Sequence, residues 1–169
     1  MINDSTLDLI EQDIERHEGC VPKIYLDSEG YATFGIGHLV ITKDPEYGLP
    51  VGTEVTMRRV REAFSEDLSR AIEDCTVLFP RLEDYPAPVQ RVLVNMTFNL
   101  GRTRLSKFKN MVKAVQSHDW NTAADEMVDS RWYRQVKSRG VELVELMRTA
   151  TDSPMRSARE FEKENAWQS

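Results

Sequence analysis

Residues 87–100 read APVQRVLVNMTFNL. Their apolar side chains fall on nearly every face of a helix, not along one stripe. Such a helix is stable in water only when other elements surround it. The stretch predicts a buried central helix, ended by Gly101, inside a helical body. The rest of the 169-residue chain has to supply the wrapping, and that length favours one domain.

The N-terminal part reads differently. Leu7, Ile10, Ile14 and His17 fall at spacings of three, four and three, which predicts an amphipathic helix. Asn3, Asp4 or Ser5 caps it and Gly19 stops it. Residues 23–26 and 31–36 then look like two strands around the turn residues Asp27-Ser28-Glu29-Gly30. A third short strand is expected near residues 39–41, and residues 43–53, with two prolines and two glycines, read as a loop. Thr53 or Thr56 caps a long helix carrying Val60, Phe64, Leu68, Ile72 and Cys75 on one stripe. Shorter helices are predicted near 106–117, 120–129 and 138–150, with SRWYRQ (130–135) as a joint. Ser153-Pro154 opens a last helix to about Ala166.

The sum is an α+β fold: a small antiparallel β-hairpin or meander lobe over about residues 15–60, a connecting helix over about 54–76, and a larger helical lobe from residues 1–14 and 77–169. A cleft between the two parts is the expected ligand site.

Composition removes several function classes. The net charge of −6 argues against nonspecific binding to nucleic acid. No run of about 18 apolar residues predicts a membrane span. The opening residues, MINDSTLDLIEQDIE, are acidic and are not read as a secretory signal. Cys20 and Cys75 lack metal or redox spacing and are read as free thiols. His17, His38 and His118 show no metal spacing, so no metal and no cofactor are expected. Charge is nonetheless uneven. Residues 1–30 carry eight acids against two bases, and residues 101–139 carry nine bases against four acids. The basic run Arg102, Arg104, Lys107, Lys109 and Lys113 reads either as a contact for an anionic polymer or as a solvated helix face. Trp120 and Trp132 read as core before sugar-stacking rings.

Two carboxylates suit acid–base chemistry. Glu18 closes the first helix, where the dipole disfavours a negative charge, and Glu15 one turn earlier adds repulsion. It suits the proton-donating role in glycoside hydrolysis. Asp27, on a turn beside backbone N–H groups, suits the ionised role, and the Thr33 hydroxyl is suited to hold a water. Taken one at a time, these residues read first as a solvated helix end, a turn former and a strand threonine.

The whole stretch is more specific. Glu18-Gly19, Ile24-Tyr25, Asp27, Glu29-Gly30-Tyr31, Thr33 and Gly35-Ile36-Gly37-His38 resemble the active-site segment of the phage-type lysozymes, the muramidases typified by those of T-even phages. The Glu-x8-Asp-x5-Thr spacing matches. Asn95-Met96 with Phe98 and Gly101 resembles that family's central helix, and Ser130-Arg131-Trp132-Tyr133, Gln135 and Arg139 its late helical segment. The likeness covers about residues 7–150.

The resemblance implies a lysozyme-like fold and cleavage of the β-1,4 bond between N-acetylmuramic acid and N-acetylglucosamine in bacterial peptidoglycan, with inversion. It implies Glu18 as general acid, with Asp27 and Thr33 handling water, and sugar contacts at Gly37, Leu39, Asn99 and Arg139. Arg139 is expected to pair with Glu18, and His38 with Asp67. A monomer is expected, held in the cytoplasm of an infected bacterium and reaching the wall through a membrane pore. A non-catalytic or tail-associated peptidoglycan-binding protein on the same fold is the alternative. The chain departs from the type member in its acidic charge, its shorter loop after His38, and Asn99 where that member has glutamine.

Overall fold

The structure, a computed structural model, describes residues 1–151. The predicted last helix at 153–166 lies outside them.

Helix α1 (Asp4–Glu18) starts where the Asn3 side chain accepts the Thr6 N–H, and it stops at Gly19, whose N–H bonds back to Glu15. Three antiparallel strands follow in the order β1 (Val21–Leu26), β2 (Ala32–Gly35) and β3 (His38–Leu39). The third strand is shorter and one residue earlier than expected. Tyr25 pairs with Thr33, and Thr33 with Leu39, so these three side chains share one face of the sheet. Phe34 and His38 pair on the opposite face and touch, with ring centroids 4.8 Å apart.

Helix α2 (Met57–Leu78) begins at Thr56, the later of the two expected caps, whose hydroxyl accepts the Arg59 N–H. Its predicted stripe is buried except for the half-buried Ile72. It packs on both the sheet and the central helix. The ion-paired His38 joins sheet to helix: Nδ1 lies 2.7 Å from Asp67 on α2, and Nε2 3.0 Å from Asp44. Burial opposes charging of that ring, but Asp67 and then Asp44 outweigh it and raise its pKa.

Helix α3 (Ala87–Leu100) has the predicted span, and none of its residues is exposed. Around it stand α4 (Arg102–Leu105), α5 (Lys109–Gln116), α6 (Trp120–Asp129), α7 (Arg131–Val136) and α8 (Ser138–Arg148). The expected helix at 106–117 is α5, which starts three residues later, and the one-turn α4 precedes it outside the expected range. The expected joint at 130–135 is itself helical, because the Ser130 hydroxyl accepts the Tyr133 N–H and caps α7. One continuous apolar core runs from Ile24, Phe34 and Ile36 under the sheet to Leu93, Met96 and Met147 among the helices. Trp120 and Trp132 are both part of that core. Cys75 is a buried free thiol, pushed up to about 12 by that burial, whereas Cys20 is an exposed one.

Candidate active site

The turn after β1 builds the first half of the site. Asp27 Oδ1 accepts the N–H groups of Glu29 and Tyr31, both at 2.9 Å, so the carboxylate is held by the turn it forms. Its Oδ2 takes no hydrogen bond from the described residues. The Tyr31 carbonyl then joins two candidates. It accepts the Asp27 N–H at 2.9 Å and the Thr33 hydroxyl at 3.1 Å. Thr33 is buried, and its single hydroxyl hydrogen is spent on that carbonyl. What Thr33 offers a water is therefore lone pairs.

The second half is the end of α1. Glu18 is about one-fifth exposed. Its Oε1 accepts from Arg139 Nη1 at 2.7 Å, as the resemblance implied. Its Oε2 lies over Gly37. A Cβ on Gly37 would stand 3.2 Å from that oxygen, and the residue's φ of +71° already excludes most side chains. The glycine leaves room for the carboxyl. Glu15, one turn earlier, is itself paired: Arg61 takes both its oxygens at 2.8 Å and lowers its pKa.

The two halves face one ring. Burial raises the pKa of the half-buried Tyr25 phenol, and the charges of Glu18 and then Asp27 raise it further. Both carboxylates are therefore within electrostatic reach of the same side chain. Tyr25 also sits beside Thr33 across the strand pair.

A cavity of about 310 Å³ opens beside this cluster. Gly37 and Leu39 line it from the sheet, Asp67 and Arg70 from α2, and Thr97 and Phe98 from α3. Ile41 and Arg70 also line a neighbouring cavity of about 640 Å³, so the groove adjoins a second one at these two residues. Leu39, half exposed, is placed to meet a ligand there. Asn99 and Arg139 are instead engaged within the protein. Asn99 Oδ1 accepts the Trp132 indole N–H at 2.9 Å, and Arg139 is buried between Glu18 and Asn95. The run of Arg102, Arg104, Lys107, Lys109 and Lys113 is exposed throughout. Arg104, Lys107 and Lys109 edge a third cavity, and Arg102 pairs with Asp74 on the surface at 3.2 Å.

Sequence reading missed three participants: Tyr25, the Tyr31 carbonyl and Asn95. Asn95 did leave a signal, as a polar side chain in the middle of an apolar run. The Tyr31 carbonyl left none, since a backbone atom carries no residue code.

With this geometry the chain can be compared with known proteins. The phage lysozyme family model matches residues 15–150. The chain is 34% identical over 145 residues to the pre-baseplate central spike protein Gp5 of Enterobacteria phage T4, covering 75% of this chain and 25% of that protein. It is 28% identical over 153 residues to the protein named Probable T4-type lysozyme 2 of Dictyostelium discoideum, covering 79% of this chain and 90% of that one. It is 24% identical over 143 residues to the peptidoglycan hydrolase gp36 of Pseudomonas phage phiKMV, covering 85% of this chain and 15% of that protein. The chain thus spans a quarter or less of the two phage proteins and nine-tenths of the Dictyostelium one. On the family match over most of its length, this chain belongs to the phage lysozyme family.

Proposed function

We propose that this chain is a peptidoglycan hydrolase that cuts the β-1,4 bond between N-acetylmuramic acid and N-acetylglucosamine. The observation that carries the reading is the division of labour between two carboxyls, the first of them beside the cavity. Glu18 has one oxygen pinned by Arg139 and the other directed over Gly37, which lines the groove. Asp27 has one oxygen pinned by its own turn and the other open.

In this reading Glu18 gives its proton to the glycosidic oxygen as the bond to the anomeric carbon breaks. A water donates one hydrogen to Asp27 Oδ2 and the other to Thr33 Oγ1. Both are acceptors here, so the water's lone pair is left to attack the anomeric carbon from the face opposite the leaving group. Asp27 takes up the proton that the water loses. The product has inverted configuration, and no covalent sugar–protein bond forms. Leu39 and Phe98 supply apolar surface for sugar rings.

The test is release of reducing ends from purified peptidoglycan. Glu18→Gln should fall by about two orders of magnitude or more, the scale of a lost general acid. Nuclear magnetic resonance of the first product anomer reads the stereochemistry. A Glu18→Gln protein as active as the wild type refutes the assignment.

The match to a spike protein supports a second placement of the same activity, on a virion and not free in the infected cell. Probing purified virions for the chain separates the two. A chain that binds wall fragments but releases no reducing ends, in any pH or salt, would make it a binding module instead.

A further inference from the structure

Behind Glu18 runs a buried chain of hydrogen bonds whose polarity is set at one end. The Arg139 guanidinium has donors and no acceptor. It gives Nη1–H to Glu18 Oε1 at 2.7 Å and Nε–H to Asn95 Oδ1 at 2.9 Å. Asn95 is fully buried in α3. Its oxygen is committed to Arg139, so its amino group is what faces His17 Nδ1, at 3.1 Å. An amino group only donates. His17 Nδ1 is therefore without hydrogen, and the ring hydrogen lies on Nε2, 3.0 Å from Glu142 Oε2. Only the neutral Nε2–H ring gives every contact one donor and one acceptor.

A charged His17 would turn two donors towards each other at Nδ1. Rotating the Asn95 amide by half a turn repairs that contact but sets its amino group against Arg139 Nε. Either way a buried polar group loses its partner, and the strain falls on the arm that holds Glu18. The charges around His17 come from three helices. Glu142 and Arg139 reach it from α8, Arg91 stands on α3, and Asp13, Arg16 and Glu18 share α1. Arg16 already occupies both oxygens of Glu142. Asp13 is likewise taken by Arg16 and Arg91. A cavity of about 500 Å³ lined by Arg16, His17, Arg139 and Glu142 gives protons a route to the ring.

We propose that His17 is a positioning residue: as a neutral acceptor it holds the Asn95 amide in the orientation that presents Arg139 to Glu18, and its protonation releases that hold. This deepens the function proposed above and rests on Glu18 being the acid.

Two measurements on the full chain test it. The first is the nitrogen spectrum of the His17 ring at neutral pH, which does not depend on activity. Hydrogen on Nε2 with bare Nδ1 is expected; hydrogen on Nδ1, or a charged ring, overturns the proposal. The second is kcat and KM against pH for the wild type, His17→Leu and His17→Gln. Leucine cannot accept from Asn95, and its kcat should fall about tenfold at neutral pH with KM nearly unchanged, as a misplaced group does. Glutamine offers a carbonyl that no longer titrates. It should restore most of the rate and remove the step in the acid limb that tracks His17. Equal kcat and equal pH profiles in all three proteins overturn the proposal. Activity surviving in Glu18→Gln would refute the acid assignment and the catalytic part together, while the ring spectrum still decides whether the polarity holds.

Discussion

Replacing Glu142 by glutamine keeps the shape of the side chain and removes its charge. In the native structure the carboxyl is held down at about 2 against an ordinary 4.5, first by the Arg16 hydrogen bonds, with burial opposing and His17 assisting. That gap corresponds to a gross contribution of about 3 kcal/mol at neutral pH. The side chains of Glu142 and Arg16 are 35% and 53% exposed, so solvent screening removes much of it. A loss of about 1–1.5 kcal/mol is the expected net cost of Glu142→Gln at pH 7. A lowered carboxyl pKa stabilises above its unfolded value and loses that effect as pH falls through its folded value. The deficit should be full above about pH 5.5, and about four-tenths of it should remain at pH 3. Urea unfolding of both proteins at pH 7, 5 and 3 reads this directly. Added salt at pH 7 should shrink the deficit. A glutamine variant as stable as the wild type at pH 7, or a deficit undiminished at pH 3, would refute the reasoning.

Other outcomes follow from the same contacts. Asp67→Asn leaves His38 with Asp44 alone, and should cost about 3 kcal/mol near pH 6. Because the pKa of His38 is raised, that stabilisation is full below 6.5 and fades as pH rises through the folded value, so the gap between urea midpoints should narrow as pH rises. Gly37→Ala should lose about 1–2 kcal/mol from its positive φ, and peptidoglycan turnover should fall well beyond what that loss explains, since the new methyl meets Glu18. Gly48→Ala, at φ +79° with nothing within 4 Å, is the control: the same strain with turnover kept. Trp132→Phe removes the indole N–H from Asn99 and should cost about 1 kcal/mol in thermal unfolding.

The parts of the fold legible in the sequence are those that a single periodicity fixes. The run at 87–100 could only be a surrounded helix, and it is. The stripes of α1 and α2 repeat long enough for their caps to be found within a few residues. Helix α7 was not legible, because six residues give no period and its stability comes from the Ser130 cap and the burial of Trp132. At the site, Glu18, Asp27 and Thr33 stood out through their joint spacing and family likeness, not through any property of each residue alone. The contacts behind them were hidden for a physical reason. Arg61 reaches Glu15 across 46 positions, and Asn95 reaches His17 across 78. No local window contains both partners. His17 looked like one more residue on an amphipathic stripe, and its use as an acceptor depends on a guanidinium from another helix.

The Glu18–Arg139 contact spans 121 positions. Helix α1 carries Glu18 near the start of the chain, yet it docks on α3 and bonds to α8, which are made much later. During synthesis Glu18 is therefore present long before Arg139 can orient it, and the hairpin with Asp27 and Thr33 forms from local contacts well ahead of that pairing. Such long loops close slowly and open early. Loosening of α8 alone would separate Arg139 from Glu18 while the sheet and α2 stayed intact. Loss of catalysis should then precede loss of fold when the protein is heated, and completion of the last described helix is the event that turns a folded chain into a competent one.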